Sequence, residues 1–195
     1  MFLPHAVAHA RVKLAICARY GIEGLPPLNE SVDITGMRPD AAWRTIFDKD
    51  LSMMEEADFV IANLTPFRGA SADSGTLVEL GWFLGRGKPV FAYSNSATPF
   101  AERSRALAAL VPDPLPNLHV EGFGLPDNLM IPGAVLRGGG HPIVIPGDGQ
   151  DLAFDALDMF EACVALASRS LRAGDVQRRC DSASTTTSSS PGPAS

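Results

Sequence analysis

Basic residues, cysteine and histidine are all scarce in this sequence, and each shortage removes a class of function. Sixteen Lys and Arg stand against 22 Asp and Glu, a formal net charge of −6 and a pI near 5.1. That balance argues against duplex nucleic acid or an anionic membrane as the main partner. The three cysteines, Cys17, Cys163 and Cys180, are odd in number and far apart. They form neither a disulfide framework nor a metal-ligand spacing, and they fit a reducing compartment. Histidines occur only at positions 5, 9, 119 and 141, without ligand spacing, so metal-dependent hydrolysis has no support. No run approaches the roughly 18 continuous apolar residues of a membrane span. The opening "MFLPHAVAHARVK" lacks the charged-then-apolar order of a signal peptide. There is no G-x-x-x-x-G-K-[ST] phosphate loop and no G-x-S-x-G nucleophile elbow, although "EGFGLPDN" (121–128) and "RGGGHP" (137–142) are glycine-rich. These exclusions leave a soluble, cytoplasmic protein that needs no cofactor or metal.

At 195 residues the chain is long enough to bury a core and is most economically one domain, expected over 1–180. From Asp181, "DSASTTTSSSPGPAS" is rich in Ser, Thr and Pro and has almost nothing to bury, so 181–195 reads as a disordered tail. Within the domain, "HAVAHARVKLAICARY" (5–20) carries apolar residues at helical spacing and ends in Gly21. "EGLPPL" (23–28) is a short buried strand or a loop. The stretch 39–57 predicts a helix with Pro39 near its first turn. "DFVIANL" (58–64) is a compact apolar run suited to a parallel strand covered on both faces. A loop, a helix over 74–85 and a second strand, "KPVFAYS" (88–94), follow. "HPIVIP" (141–146) is a further candidate strand, and 151–171 predicts an amphipathic helix. Strands alternating with helices imply a parallel sheet with helices on both faces, whose ligands bind beyond the carboxyl ends of the strands. The loop after Leu64, "PFRGASAD", occupies that position.

Two carboxylates six positions apart, Asp73 and Glu79, flank this loop and its helix. Asp73 could simply cap the helix, accepting hydrogen bonds from first-turn amides. Glu79 lies within a turn of Thr76, Trp82 and Phe83, where a carboxylate leaves water only with a partner or a task. The partner could be Arg68 or Arg86; the task could be chemistry, since functional acids sit between burial, which raises their pKa, and hydrogen bonds, which lower it. Asp50, on the preceding helix, reads on its own as a solvated surface acid.

"DFVIANLTPFRGASADSGTLVELG" together with "VEGFGLPDNLM" resembles the nucleoside 2-deoxyribosyltransferase family, in its branch carrying the PFRG loop, over about Phe2 to Ile131. The resemblance implies a flavodoxin-like doubly wound parallel sheet and transfer of a 2-deoxyribosyl group between nucleobases. It implies a nucleophilic Glu in "GTLVELG", hence Glu79, with Asp73 on the sugar hydroxyls and Asp50 on the nucleobase and its proton. Phe67, Arg68 and Gly75 would bind substrate, and Asn128 would reach the 5'-hydroxyl end of a sugar in an adjacent subunit. The implied partners are deoxynucleosides, free nucleobases and further copies of this chain. A related hydrolase acting on nucleosides or their 5'-monophosphates, with Arg68 and Ser71 near the phosphate, and an inactive nucleotide-binding module are the competing expectations. Family members open with a strand and a glycine-proline loop of the kind "IYLAGPxVF", which "MFLP" lacks. The sheet is therefore expected without its first strand in this chain, through a start placed downstream of the true one or through truncation.

Overall fold

A computed structural model of the protein describes residues 5–27, 33–110 and 119–185, with side chains as far as residue 174. The order of elements is α1 (Ala6–Arg19), α2 (Pro39–Glu56), β1 (Val60–Asn63), α3 (Ser74–Gly85), β2 (Val90–Tyr93), α4 (Phe100–Leu110), α5 (Met130–Gly139) and α6 (Asp158–Thr185). β1 and β2 pair in parallel, with Val60 opposite Val90 and Asn63 opposite Tyr93. The segment 141–146 adds a single parallel bridge, Val144 to Tyr93, rather than a full strand. Residues 23–27 form a loop. The tail expected over 181–195 coincides with the end of α6 up to Thr185, and 186–195 lie outside the described residues.

Alternation along the two strands explains why helices cover both faces. Ala62, Leu64, Val90 and Ala92 point one way, into a core with Leu80 and Phe83 of α3 and Val135 of α5. Phe91 and Tyr93 point the other way, toward Ile16 and Cys17 of α1 and Phe160, Cys163, Val164 and Ala167 of α6. A strand buried on both faces needs continuous rather than alternating apolarity, which "VIAN" and "VFAY" supply. The architecture is thus α/β, doubly covered, with α3 as the crossover between parallel neighbours.

Two local devices fix this packing. Lys88 Nζ donates to the carbonyls of Met54, Glu55 and Ala57 at 3.1, 2.7 and 2.5 Å, tying the open end of α2 to the start of β2. α5 closes against β2 so tightly that a Cβ on Gly139 would stand 2.1 Å from the Val90 carbonyl oxygen. The glycine run at 138–140 is therefore a packing requirement, ending at Gly140 in the left-handed region (φ 71°) as the helix C-cap.

The expected helix over 151–171 begins only at Asp158. Asn95 Nδ2 takes the carbonyls of Ala153, Phe154 and Ala156, and Asp151 accepts the backbone amides of Ala97 and Thr98. Those carbonyls are engaged by a distant side chain, so 151–157 stays irregular despite its helical periodicity. α4 and α5 were not expected from the sequence.

Candidate active site

β1 ends in a knot of small polar groups. Asn63 Oδ1 accepts from the Thr65 amide at 3.0 Å and its hydroxyl at 2.6 Å, and Thr65 Oγ1 in turn accepts the Asn95 amide at 3.0 Å. The carboxyl ends of the two strands are thereby locked together. The chain then turns through 66–72, where the Phe67 amide donates to the Ser71 carbonyl at 3.0 Å. Arg68 adopts φ 55°, the one non-glycine residue with positive φ among those described, and its guanidinium lies 4.8 Å from the Phe67 ring centroid. A bulky residue in the left-handed region marks a loop whose shape is imposed by its surroundings.

Asp73 follows as the N-cap of α3, its Oδ2 accepting from the amides of Gly75 at 3.0 Å and Thr76 at 3.3 Å. The capping reading of Asp73 is thus realised, yet its side chain also faces a groove of about 670 Å³. Thr76 and Glu79 line the same wall, with Phe67 and Phe154 as an aromatic pair, centroids 5.8 Å apart, beside them. Six positions is close to two helical turns, so a cap residue and Glu79 can share one wall. The opposite wall comes from α1, where Lys13 Nζ donates to the Tyr93 hydroxyl at 3.0 Å. β1 runs along the groove, and among the described residues no strand pairs with its outer edge.

Glu79 is half-buried, and among the described residues nothing donates a hydrogen bond to it. Arg86, one of its expected partners, instead faces Glu55 at 3.7 Å across solvent. Burial holds the Glu79 carboxyl above the usual range, and the negative charges of Asp50 and Asp73 push it the same way. Asp50 is therefore electrostatically in touch with Glu79 although it does not line the groove. Its Oδ1 is withdrawn from solvent with no hydrogen-bond partner, which does not fit a solvated surface acid. Gly75 sits in the first turn of α3, exposed and donating to Asp73. Asn128 is absent from the groove; its Nδ2 donates to Glu121 at 2.7 Å and its Oδ1 accepts the Met130 amide at 3.1 Å.

Residues 1–130, two-thirds of the chain, match the model of the family described as nucleoside 2-deoxyribosyltransferase. The chain belongs to that family. It is 31% identical over 108 residues to the uncharacterized protein C191.05c of Schizosaccharomyces pombe, a match covering 54% of this chain and 51% of that one. The chain thus spans about half the length of the curated relative it matches. Its fold is similar to that of a 2-desoxiribosyltransferase from Leishmania mexicana, with TM-score 0.55 and 27% identity over 86% of this chain and 91% of that structure. The expected family and its α/β fold with a parallel sheet are both borne out.

Set within this family's fold, the groove brings together Glu79, Asp73 and Phe67, keeps Asp50 within electrostatic reach, and leaves Asn128 on a separate surface loop. Three residues that organise it escaped the sequence reading. Asp127, 1% exposed, accepts Ser71 Oγ at 2.6 Å, the Ala72 amide at 3.0 Å and the Asn128 amide at 2.8 Å. Arg103 of α4 donates to the carbonyls of Ala70, Thr98 and Pro126. Asn95, fully buried, anchors the turn that carries Phe154. In sequence, Asp127 is one more turn-forming acid after a proline, and nothing local marks it as buried.

Proposed function

We propose that the chain transfers a 2-deoxyribosyl group from one nucleobase to another by cleaving and re-forming the N-glycosidic bond. The observation that carries this reading is Glu79: a half-buried carboxylate that accepts no hydrogen bond among the described residues, on the groove wall beside Asp73 and Thr76. In its ionised form Glu79 attacks C1' of the bound sugar, and the bonding pair of the glycosidic bond leaves with the base. A carboxylate nucleophile divides one hard glycosyl displacement into two easier ones. Asp50, whose Oδ1 is unpartnered, supplies or orients the proton that the departing base takes up. The incoming base then displaces Glu79 from C1', and the two inversions retain configuration. Asp73 holds the sugar hydroxyls from the cap of α3, while Phe67, with the Arg68 loop, offers an apolar face to the base. Gly75 keeps the first turn of α3 open to the sugar.

Asn128 acts in the groove of a neighbouring copy, a reading supported by its absence from the lining of its own groove, and this implies a homo-oligomer. The Ser71 side chain does not favour a 5'-monophosphate. The Ser71 hydroxyl proton is already given to Asp127, so Ser71 has no donor left for a phosphate.

Incubation with deoxyinosine and free adenine tests the reading. Deoxyadenosine is the expected product; hypoxanthine release without exchange would mean hydrolysis, and neither product would mean a binding module. Glu79→Ala should abolish exchange with the fold intact. Mixed oligomers of Glu79→Ala and Asn128→Ala chains should regain part of the activity if sites are shared, and no recovery would count against sharing.

A further inference from the structure

We infer that buried Asp127, backed by Arg103, is a positioning residue that sets two functional segments at once: the loop end that delivers Asp73 and the turn that carries Asn128. The inference rests on the transfer reading for what those segments do, but its geometry is independent of it. A carboxylate offers about four acceptor positions, and three are taken here by Ser71 Oγ, the Ala72 amide and the Asn128 amide. Arg103 grips the same two segments by the opposite groups. Its guanidinium takes the carbonyl of Ala70, one residue before Ser71, and that of Pro126, one residue before Asp127. A third bond to the Thr98 carbonyl ties the pair to the loop after β2, where Asp151 accepts from Ser96, Ala97 and Thr98. Amides thus point to the acid and carbonyls to the guanidinium, so neither loop can slide without breaking bonds to both.

The arrangement is more than a way to satisfy one buried charge. Burying the Asp127 carboxylate costs desolvation that apolar packing would avoid, and its hydrogen bonds serve first to offset that cost. What the pair does supply is a fixed distance between two loops separated by more than fifty residues. Through Ala72 that distance reaches the backbone adjoining Asp73, and through its own amide it reaches Asn128. One buried carboxylate therefore shapes a chain's own groove and the residue it presents outward.

The test compares Asp127→Asn and Ser71→Ala with the wild-type chain in deoxyribosyl exchange, thermal unfolding and amide hydrogen exchange. Asn at 127 offers donors where three donors already converge, and should lower kcat per folded molecule by about 10- to 100-fold, the scale of a misplacement near 1 Å. Protection should fall together at the amides of Ala72 and Asn128 while α6 keeps its own. Ser71→Ala removes one hydrogen bond without endangering the fold, and should cut kcat/KM with little change in melting temperature. A purely structural Asp127 would lower the melting temperature yet leave kcat per folded molecule unchanged, and that result overturns the inference. So would protection lost at only one of the two segments. A wild-type chain without exchange activity would refute the transfer reading instead, and the joint or separate loss of amide protection would still decide the matter for Asp127.

Discussion

Replacing Gly139 with Ala adds one methyl group where the fold has least room. The new Cβ would meet the Val90 carbonyl oxygen at 2.1 Å and its carbon at 3.1 Å. Carbon and oxygen ordinarily approach no closer than about 3.3 Å, so more than 1 Å must open between α5 and β2. Neither side yields cheaply. Val90 is fully buried and held in register with Val60, while Val135 of α5 is 1% exposed and packs into the same core. Overpacking at such a site costs about 3 kcal/mol. Against this stands the preference of a helix for Ala over Gly, about 1 kcal/mol. The net loss of about 2 kcal/mol should lower the melting temperature by roughly 4–8 °C in a domain of this size. Gly133→Ala, in the same helix with nothing within 4 Å of its Cβ, is the control. It should be neutral or raise the melting temperature by a few degrees, because only the helix preference changes. Thermal unfolding of the two variants beside wild type decides the matter. Equal shifts in both, or an unchanged melting temperature for Gly139→Ala, would refute the claim that backbone contact demands the glycine.

Three further outcomes follow from the charged groups. The folded-state pKa of Glu79 lies above its ordinary 4.5, so the folded chain holds the proton longer than the unfolded one and stability falls as pH rises through that window. Glu79→Gln should therefore melt higher than wild type above the window, with the gap closing below about pH 4, as melting curves across pH would show; a pH-independent gap would contradict the assigned cause. Asp50→Asn removes both the group that serves the departing base and one negative neighbour of Glu79, so kcat/KM should fall overall while the acid limb of its pH profile moves to lower pH as Glu79 ionises more easily. A limb that stays put would mean that Asp50 does not act on Glu79. Lys88→Met leaves three carbonyls at the end of α2 without their cationic donor. It should cost about 1.5–3 kcal/mol in denaturant unfolding, and a loss below about 0.5 kcal/mol would show that water replaces the lysine freely.

Much of the chemistry could be read directly from the linear sequence. A strand-like run ending in "PFRGASAD" and a helix opening at Asp73 put two acids at the carboxyl end of a parallel strand, and α3 runs from Ser74 to Gly85 as the pattern implied. Local signals suffice there because capping, periodicity and turn residues act over a few positions. "RGGGHP" is the opposite case. Three glycines in sequence suggest a loop, and only the approach of Val90 shows why a helix ends on them.

The sequence by itself determined the alternation of buried strands and helices, the cap at Asp73, and the anomalous placement of Glu79 on an apolar helix, since each depends on neighbours within two turns. Tertiary structure alone decided that Arg86 faces Glu55 rather than Glu79, that Asp50 bears on Glu79 from another helix, and that residues 151–157 stay irregular under the hold of Asn95. It also decided that Asp127 is buried, with Ser71, Ala72 and Asn128 converging on one carboxylate. Hydrogen bonds and charges act through space at a few ångströms, whatever the separation along the chain, so the partners of a buried polar group are settled only when the fold brings them there.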